Sequence, residues 1–274
     1  MAKENDFGNP DYGILQNKKI LVAEDVKLNQ DLVKHILQTR HIDVTIVENG
    51  LEALNQVQMN YFDCVLMDVH MPEMDGIEAT KRIRLLTDRE KSRIPIIALT
   101  AELPDAGEKK FFDAGMDSCL AKPYDEFNLL NVIVKYVQNH NLKTSSLNME
   151  NFVKTETAAV NGNKLYSLAM VESVSGGDKE FTKKMINLFI ETVPADVKQL
   201  QIASITQNWL QVGKLAHKLK STIDSMAIKT IQQDIRTIEM NAKQESAHEI
   251  IPALIEKINQ TINSVIRQLQ MELN

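Results

Sequence analysis

Hydrophobic positions along the chain follow two different periods. From Lys18 to about Asn139, short apolar runs alternate with amphipathic stretches of roughly ten to fifteen residues. The runs are KKILVAE, DVTIV, DCVLMD, IPIIAL and DSCLAK. Five such strands alternating with helices predict a parallel sheet covered on both faces. CVLM and PIIAL are apolar throughout, as strands buried on both faces are. After Asn139 the segment NHNLKTSSLNMENFVKTETAAVNGN is polar and has no sustained period, which predicts a linker over 140–161. From Lys164 onward only helical periodicity remains, broken at SGGD and SITQNW. Gly177 and Asp178 before KEFTKKMINLFIETV read as a capped helix start, and three or four antiparallel helices would bury one stripe each. No internal repeat is visible, and residues 1–17 are expected to form a poorly ordered leader.

Composition narrows the classes. A chain of 274 residues suggests two domains or one large one, and 43% apolar with 25% charged residues is ordinary for a globular protein. The net charge of −6 argues against a dominant nucleic-acid footprint. No apolar run approaches the roughly 18 residues needed to span a bilayer. The opening MAKENDFGNPDYG lacks the apolar core of a secretory signal. These features predict a cytoplasmic chain without membrane contact. Cys64 and Cys119 lie inside apolar runs and are expected to be buried, reduced thiols.

Charged and hydroxyl residues recur where the strands end. The first run ends in Glu24 and Asp25, the third in Asp68, the fourth in Thr100 and Ala101, the fifth in Lys122 and Pro123. In an open parallel sheet these ends line a crevice where strand order reverses. Three carboxylates in one crevice repel unless a cation compensates. A hard divalent ion such as Mg²⁺ uses few carboxylates and leaves room for phosphate oxygens. A carboxylate nucleophile, a metal, a hydroxyl and an ammonium are the set needed for phosphoryl transfer to Asp68.

LVAEDVKLNQ, VLMDVHMPEMDG, IIALTA and LAKP resemble the receiver domain of two-component signalling proteins, over about residues 18–139. The resemblance implies an α/β flavodoxin-like, doubly wound parallel sheet of strand order 2-1-3-4-5. It implies Asp68 as phosphoacceptor, with Glu24, Asp25, Asp68 and the backbone carbonyl of His70 as Mg²⁺ ligands. Thr100 and Lys122 would contact the phosphoryl oxygens. Two positions depart from the family pattern. Cys119 stands where an aromatic residue commonly rotates inward, and His70 stands where related hybrid-kinase receivers often carry glutamine. The His70 side chain is expected to face solvent rather than to accept phosphate.

In the second half, advancing 100° per residue from Val212 places Leu215, Ala216, Leu219, Ile223 and Met226 within about 60° of it. This is a core stripe. His217 falls about 140° away, with Lys220 and Asp224 on its side. Gly213 and Ser221, four residues before and after, are small and leave the imidazole open to a partner. A glycine inside a helix costs about 1 kcal/mol relative to alanine, so access or packing has a use there. LAHKLKS and the stretches around it resemble the histidine phosphotransfer domain, written around A-H-x-L-K-G, over about 162–270. That resemblance implies an all-α helical bundle with His217 as phosphoacceptor and Lys220 as its electrostatic partner. Ser221 stands where glycine is usual and would narrow the approach slightly. His35, His41, His140 and His248 read as structural or solvated.

Together the two resemblances imply a phosphorelay protein, like the carboxyl-terminal part of a hybrid histidine kinase. Phosphoryl groups would pass between an upstream histidine kinase domain, Asp68, His217 and a downstream receiver domain. No ATP-binding kinase domain is recognisable, and the leader is consistent with a remnant of an interdomain linker. A linker of about 20 residues has a root-mean-square span of about 25 Å, so exchange between Asp68 and His217 within one chain is expected. Two other classes stand as alternatives. A DNA-binding response regulator would need a short helix-turn-helix with a basic recognition helix, which the long helices and acidic balance do not favour. An Asp-nucleophile phosphatase usually has a second acid two residues after the nucleophile, where this chain has His70.

Overall fold

The computed structural model describes residues 12–100, 104–141, 164–244 and 246–273. The first eleven residues, Ala101 and most of the expected linker lie outside the described residues. The first half runs β1 (Lys19–Ala23), α1 (Lys27–Thr39), β2 (Asp43–Val47), α2 (Gly50–Met59), β3 (Cys64–Asp68), α3 (Gly76–Arg84), α4 (Arg89–Ser92), β4 (Ile96–Thr100), α5 (Pro104–Asp113), β5 (Ser118–Ala121) and α6 (Glu126–Asn141). The five strands form a parallel sheet of order β2-β1-β3-β4-β5.

The alternation of side chains along each strand builds two cores. Ile20, Val22, Cys64, Leu66, Ile97 and Leu99 face α1 and α6, where Leu32, Ile36, Leu129 and Ile133 close one layer. Leu21, Ala23, Val65, Met67, Ile96 and Ala98 face the opposite layer, with Ala53, Ala79, Ile83 and Phe111. β3 and β4 are buried at every residue, which explains their unbroken apolar sequence, while the edge strand β2 is only half-buried. Both cysteines are free and buried.

Among the described residues the second half comprises the short α7 (Ala169–Ser175) and four long helices, α8 (Lys179–Ile205), α9 (Trp209–Ser225), α10 (Lys229–Gln244) and α11 (Ile251–Leu273). At SGGD, Gly176 and Gly177 take φ values of 57° and 94°, and the Asp178 side chain caps α8 by accepting from the Glu180 and Phe181 amides. At the second break, Asn208 caps α9 by accepting from Gln211 N–H. Ile231, Ile235, Ile238 and Ala242 form the buried stripe of α10, and Ile255, Ile258, Ile262, Val265 and Leu269 that of α11.

Part of the expected leader is ordered. Tyr12–Leu15 form a 3₁₀ turn in which Leu15 is buried and Tyr12 Oη donates to Asn131 Oδ1 on α6 at 3.0 Å. Four residues are too few to show a period, yet one leucine filling a gap under α6 fixes them. The two halves also pack directly on each other through α1. The His35 ring stacks on Phe181 of α8 with centroids 3.8 Å apart, and Lys184 of α8 pairs with Asp31 at 3.0 Å. One apolar cluster runs from Leu32 and Ile36 of α1 into Tyr166, Val171 and the long helices.

Gly76 sets the distance between α3 and the end of β3. A Cβ there would stand 2.1 Å from the Asp68 carbonyl oxygen, a backbone atom that cannot swing aside. Gly76→Ala is expected to cost about 1–3 kcal/mol through overpacking, read as a lower midpoint in urea unfolding.

Candidate functional site

β1, β3, β4 and β5 are parallel and in register, so their carboxyl ends reach one edge of the sheet together. Glu24 and Asp25 follow β1, and Asp68 closes β3. One oxygen from each of these three carboxylates lies within 4.8 Å of the others. Glu24 is fully buried, Asp68 nearly so, and Asp25 is partly open. Lys122, carried just beyond β5, places its Nζ 2.6 Å from Asp68 Oδ2 and 2.5 Å from Glu24 Oε2. Its amide donates to the Thr100 carbonyl at 2.6 Å, which holds the buried Thr100 beside it. The His70 amide donates to Asp68 Oδ1 at 3.1 Å. The five predicted strand-end positions Glu24, Asp25, Asp68, Thr100 and Lys122 thus converge on one crevice.

One ammonium faces three carboxylates, and the site is short of positive charge. Burial raises Glu24 to about 7, against the pull of Lys122 and with further push from Asp68 and Asp25. Burial likewise raises Asp25 to about 6, with Asp68 adding to it. For Lys122 burial works against the charge, but Asp68 and Glu24 outweigh it and hold the ammonium above the ordinary lysine value. Oxygen-only donors with excess negative charge, one of them partly open, suit a hard divalent cation held by few carboxylates. Glu24, Asp25 and Asp68 therefore fit such an ion.

His217 lies in the middle of α9, and the fold brings it to this crevice. Its ring centroid is 4.5 Å from that of His70, with the planes tilted by 47°. The His70 side chain, expected to face solvent, is partly covered by this contact, because α9 lies across the loop that follows β3. His217 Nδ1 lies 2.6 Å from Glu239 Oε1 on α10. Burial of Glu239 favours its neutral form, but bonds and charges from His217 and Lys220 prevail and hold it well below the usual carboxylate range. An ionised carboxylate only accepts, so the proton between them sits on Nδ1 and the Nε2 lone pair is left for chemistry.

The surroundings of His217 differ from the helical-wheel expectation. Lys220 is buried, with its ammonium 2.6 Å from Glu239 Oε2, and Asp224 pairs with Arg236 of α10 at 2.7 Å. The polar side of α9 is covered by α10 and by α1, so polarity there marks buried ion pairs and not a solvated face. Gly213 faces α10, where a Cβ would meet Ala242 and Lys243 at 3.7 and 3.8 Å. Both are ordinary contact distances, so packing against α10 does not by itself require a glycine there. Ser221 does more than narrow the approach: its Oγ accepts from Asn29 Nδ2 on α1 at 2.6 Å.

Glu239 and Asn29 escaped the sequence reading. Glu239 is an ordinary acid on an amphipathic helix, and only tertiary contact joins it to a histidine 22 residues away. Asn29 did leave a trace, because Asn29, Gln30 and Asp31 put three polar residues in succession inside a helix, and all three are buried. His35 stacks on Phe181 and His248 on Trp209, as structural histidines do. The side chain of His140 lies outside the described residues.

Comparisons with known proteins divide the chain in two. A model described as the response regulator receiver domain matches residues 20–134, and one described as the Hpt domain matches residues 184–272. The chain is 29% identical over 233 residues to the sensor protein GacS of Pseudomonas syringae pv. syringae, covering 84% of the chain and 25% of that protein. It is 23% identical over 245 residues to the histidine-protein kinase BarA of Escherichia coli K12, covering 89% and 26%. The chain thus spans about a quarter of the length of these relatives. Among solved structures, the receiver domain of the sensor histidine kinase PA1611 from Pseudomonas aeruginosa PAO1 is 32% identical. It covers 45% of this chain and 99% of that one, with a TM-score of 0.42.

The raised carboxyl groups predict a pH-dependent response to cations. In the cation-free protein Glu24 and Asp25 keep protons that the unfolded chain has already released. Their contribution to stability is full below about pH 4 and is lost as pH rises through about 6 and 7. A divalent cation bound by the ionised groups reverses that loss. The rise in melting temperature caused by excess Mg²⁺ is expected to be larger at pH 8 than at pH 5 by differential scanning calorimetry. Equal rises would show that these carboxylates do not hold the ion.

Proposed function

A chain that joins a response regulator receiver domain to an Hpt domain belongs to the two-component phosphorelay proteins, and on that premise we propose that Asp68 and His217 exchange a phosphoryl group within it. The observation that carries this reading is the contact of the His70 and His217 rings, beside a backbone amide that bonds Asp68. The phosphodonor side chain of one domain and the acceptor of the other face the same crevice.

In the forward direction His217 Nε2 attacks the phosphorus of an acyl phosphate on Asp68. The N–P bond forms, the bond to the Asp68 oxygen breaks, and the carboxylate is regenerated. The imidazole gains positive charge, which Glu239 offsets through Nδ1–H. Lys220, locked to Glu239, keeps that carboxylate ionised and adds positive charge near the acceptor. Lys122 already bonds Asp68 and would pass to a phosphoryl oxygen, with the Thr100 hydroxyl as a second donor. Mg²⁺, held by Glu24, Asp25, Asp68 and the His70 carbonyl, would neutralise phosphoryl oxygens when bound. Both phosphorylated side chains are energy-rich, so the exchange runs either way.

Partners of matching chemistry are a histidine kinase domain upstream of Asp68 and a separate receiver domain downstream of His217. Each must take the place of the domain now seated in the crevice. Two buried free thiols support a cytoplasmic setting.

Transfer within one chain is independent of dilution. Wild-type protein labelled at Asp68 is expected to phosphorylate His217 at a rate unchanged by dilution, whereas a mixture of Asp68→Asn and His217→Gln chains slows with it. A wild-type rate that falls in proportion to concentration would exclude the route. Glu239→Gln is expected to slow transfer to His217 by roughly ten-fold or more, because it weakens the support of Nδ1–H, as single-turnover kinetics would show.

A further inference from the structure

We propose that Asn29 and Ser221 form a specificity clasp, by which this receiver domain selects the histidine helix of its own chain over other histidine helices. The inference rests on the exchange proposed above and concerns which histidine is admitted to it. Asn29 lies on α1 and is buried, as are Ser221 and Ser225 on α9. Its Nδ2 donates to Ser221 Oγ at 2.6 Å and to Glu24 Oε1 at 3.1 Å. Glu24 Oε1 also accepts the Val26 amide at 3.1 Å, so it presents lone pairs to the amide and fixes which way Asn29 points. Asn29 Oδ1 lies 3.3 Å from the Ser225 hydroxyl, which also reaches the Ser221 carbonyl at 3.0 Å. Both N–H donors of the amide are therefore engaged, by Ser221 and Glu24, and its oxygen shares the single Ser225 hydroxyl proton with the Ser221 carbonyl.

This contact differs in kind from the rest of the interface. The apolar cluster around Leu32 and Ile36 accepts any complementary apolar surface, and the Lys184–Asp31 pair has a largely exposed lysine. The buried amide is exacting. Ser221 sits four residues after His217, one helical turn on and facing α1. Another histidine helix seated with its imidazole at Asp68 presents its own residue at that point. If that residue has no hydroxyl, a buried N–H loses its partner, and sites built around a hydrogen bond reject the analogue that lacks it. The discrimination expected from one such buried donor is about five-fold to a hundred-fold. Since the same amide also holds Glu24, the clasp fixes the register of α9 against the acidic crevice itself.

The test is a competition between full-length chains. A chain labelled at Asp68 with acetyl phosphate and Mg²⁺ is mixed with an excess of isotopically heavy Asp68→Asn chain, which keeps Ser221 and His217. Mass spectrometry then gives the ratio of phosphate on the labelled chain's own His217 to that on the heavy chain's. Ser221→Ala in the labelled chain is expected to shift this ratio toward the heavy chain by about five-fold or more. Asn29→Ala alone is expected to leave the ratio near that of wild type, because it removes the bond to both helices alike, and in that background Ser221→Ala is expected to have no further effect, because the two side chains act as one contact. A ratio unchanged by Ser221→Ala while His217 is phosphorylated, or a Ser221→Ala shift that persists in the Asn29→Ala background, would overturn the clasp and leave the exchange standing. No phosphate on either His217 with wild-type protein would overturn the exchange, and the clasp with it.

Discussion

Three carboxylates crowded at one edge of a parallel sheet are the constraint on which the site depends. Lys122 bridges Glu24 and Asp68 and keeps the cluster from repelling itself apart, yet one ammonium cannot balance three acids. Burial, with the neighbouring carboxylates adding to it, raises the pKa values of Glu24 and Asp25. Removing Lys122 would leave buried acids without a counter-charge, the costly half of breaking a buried ion pair. A site poised in this way gains most when a cation and a phosphoryl group arrive together, since each supplies what the other needs.

The same economy of charge appears at His217. Glu239 gathers Nδ1 of His217, Lys220 and Lys243 around one carboxylate. His217 and Lys220 keep it ionised, and it fixes the tautomer of the imidazole. The imidazole beside the His70 ring is therefore already oriented by a partner on a neighbouring helix. Helix α1 joins the two centres, because it carries Asn29 against Glu24 on one side and against Ser221 on the other. The apolar cluster that continues from α1 into the helical domain makes this an extended seam with polar contacts at the end beside the acidic crevice.

Cys119 occupies the position where the resembled family commonly carries an inward-rotating aromatic. Cys119 sits on β5 within the cluster that holds Phe111 and Met116, so the interior beside it is packed with other side chains. An inward-rotating aromatic is not available at that position, and docking at α1 connects the acidic crevice to the rest of the chain.

Most of the architecture was legible in the sequence because it depends on local periods. Strands such as DVTIV and CVLMD show their alternation or unbroken burial within five residues, and the helix caps at Asp178 and Asn208 sit beside evident breaks. The acidic crevice was legible for a related reason. In a parallel sheet every strand ends at the same edge, so residues at strand ends meet whatever their separation in sequence. Tertiary structure alone decided how the polar residues of α9 are used. The sequence placed His217, Lys220 and Asp224 on one side of a helix, and a polar side reads as solvated unless a partner is known. Glu239, Arg236 and Asn29 are those partners, and each lies on another helix. Periodicity reports which side of a helix leaves the core of its own domain. It carries no record of the second surface that covers that side, because ion pairs and amide clasps need only one residue from each helix and leave no repeating trace.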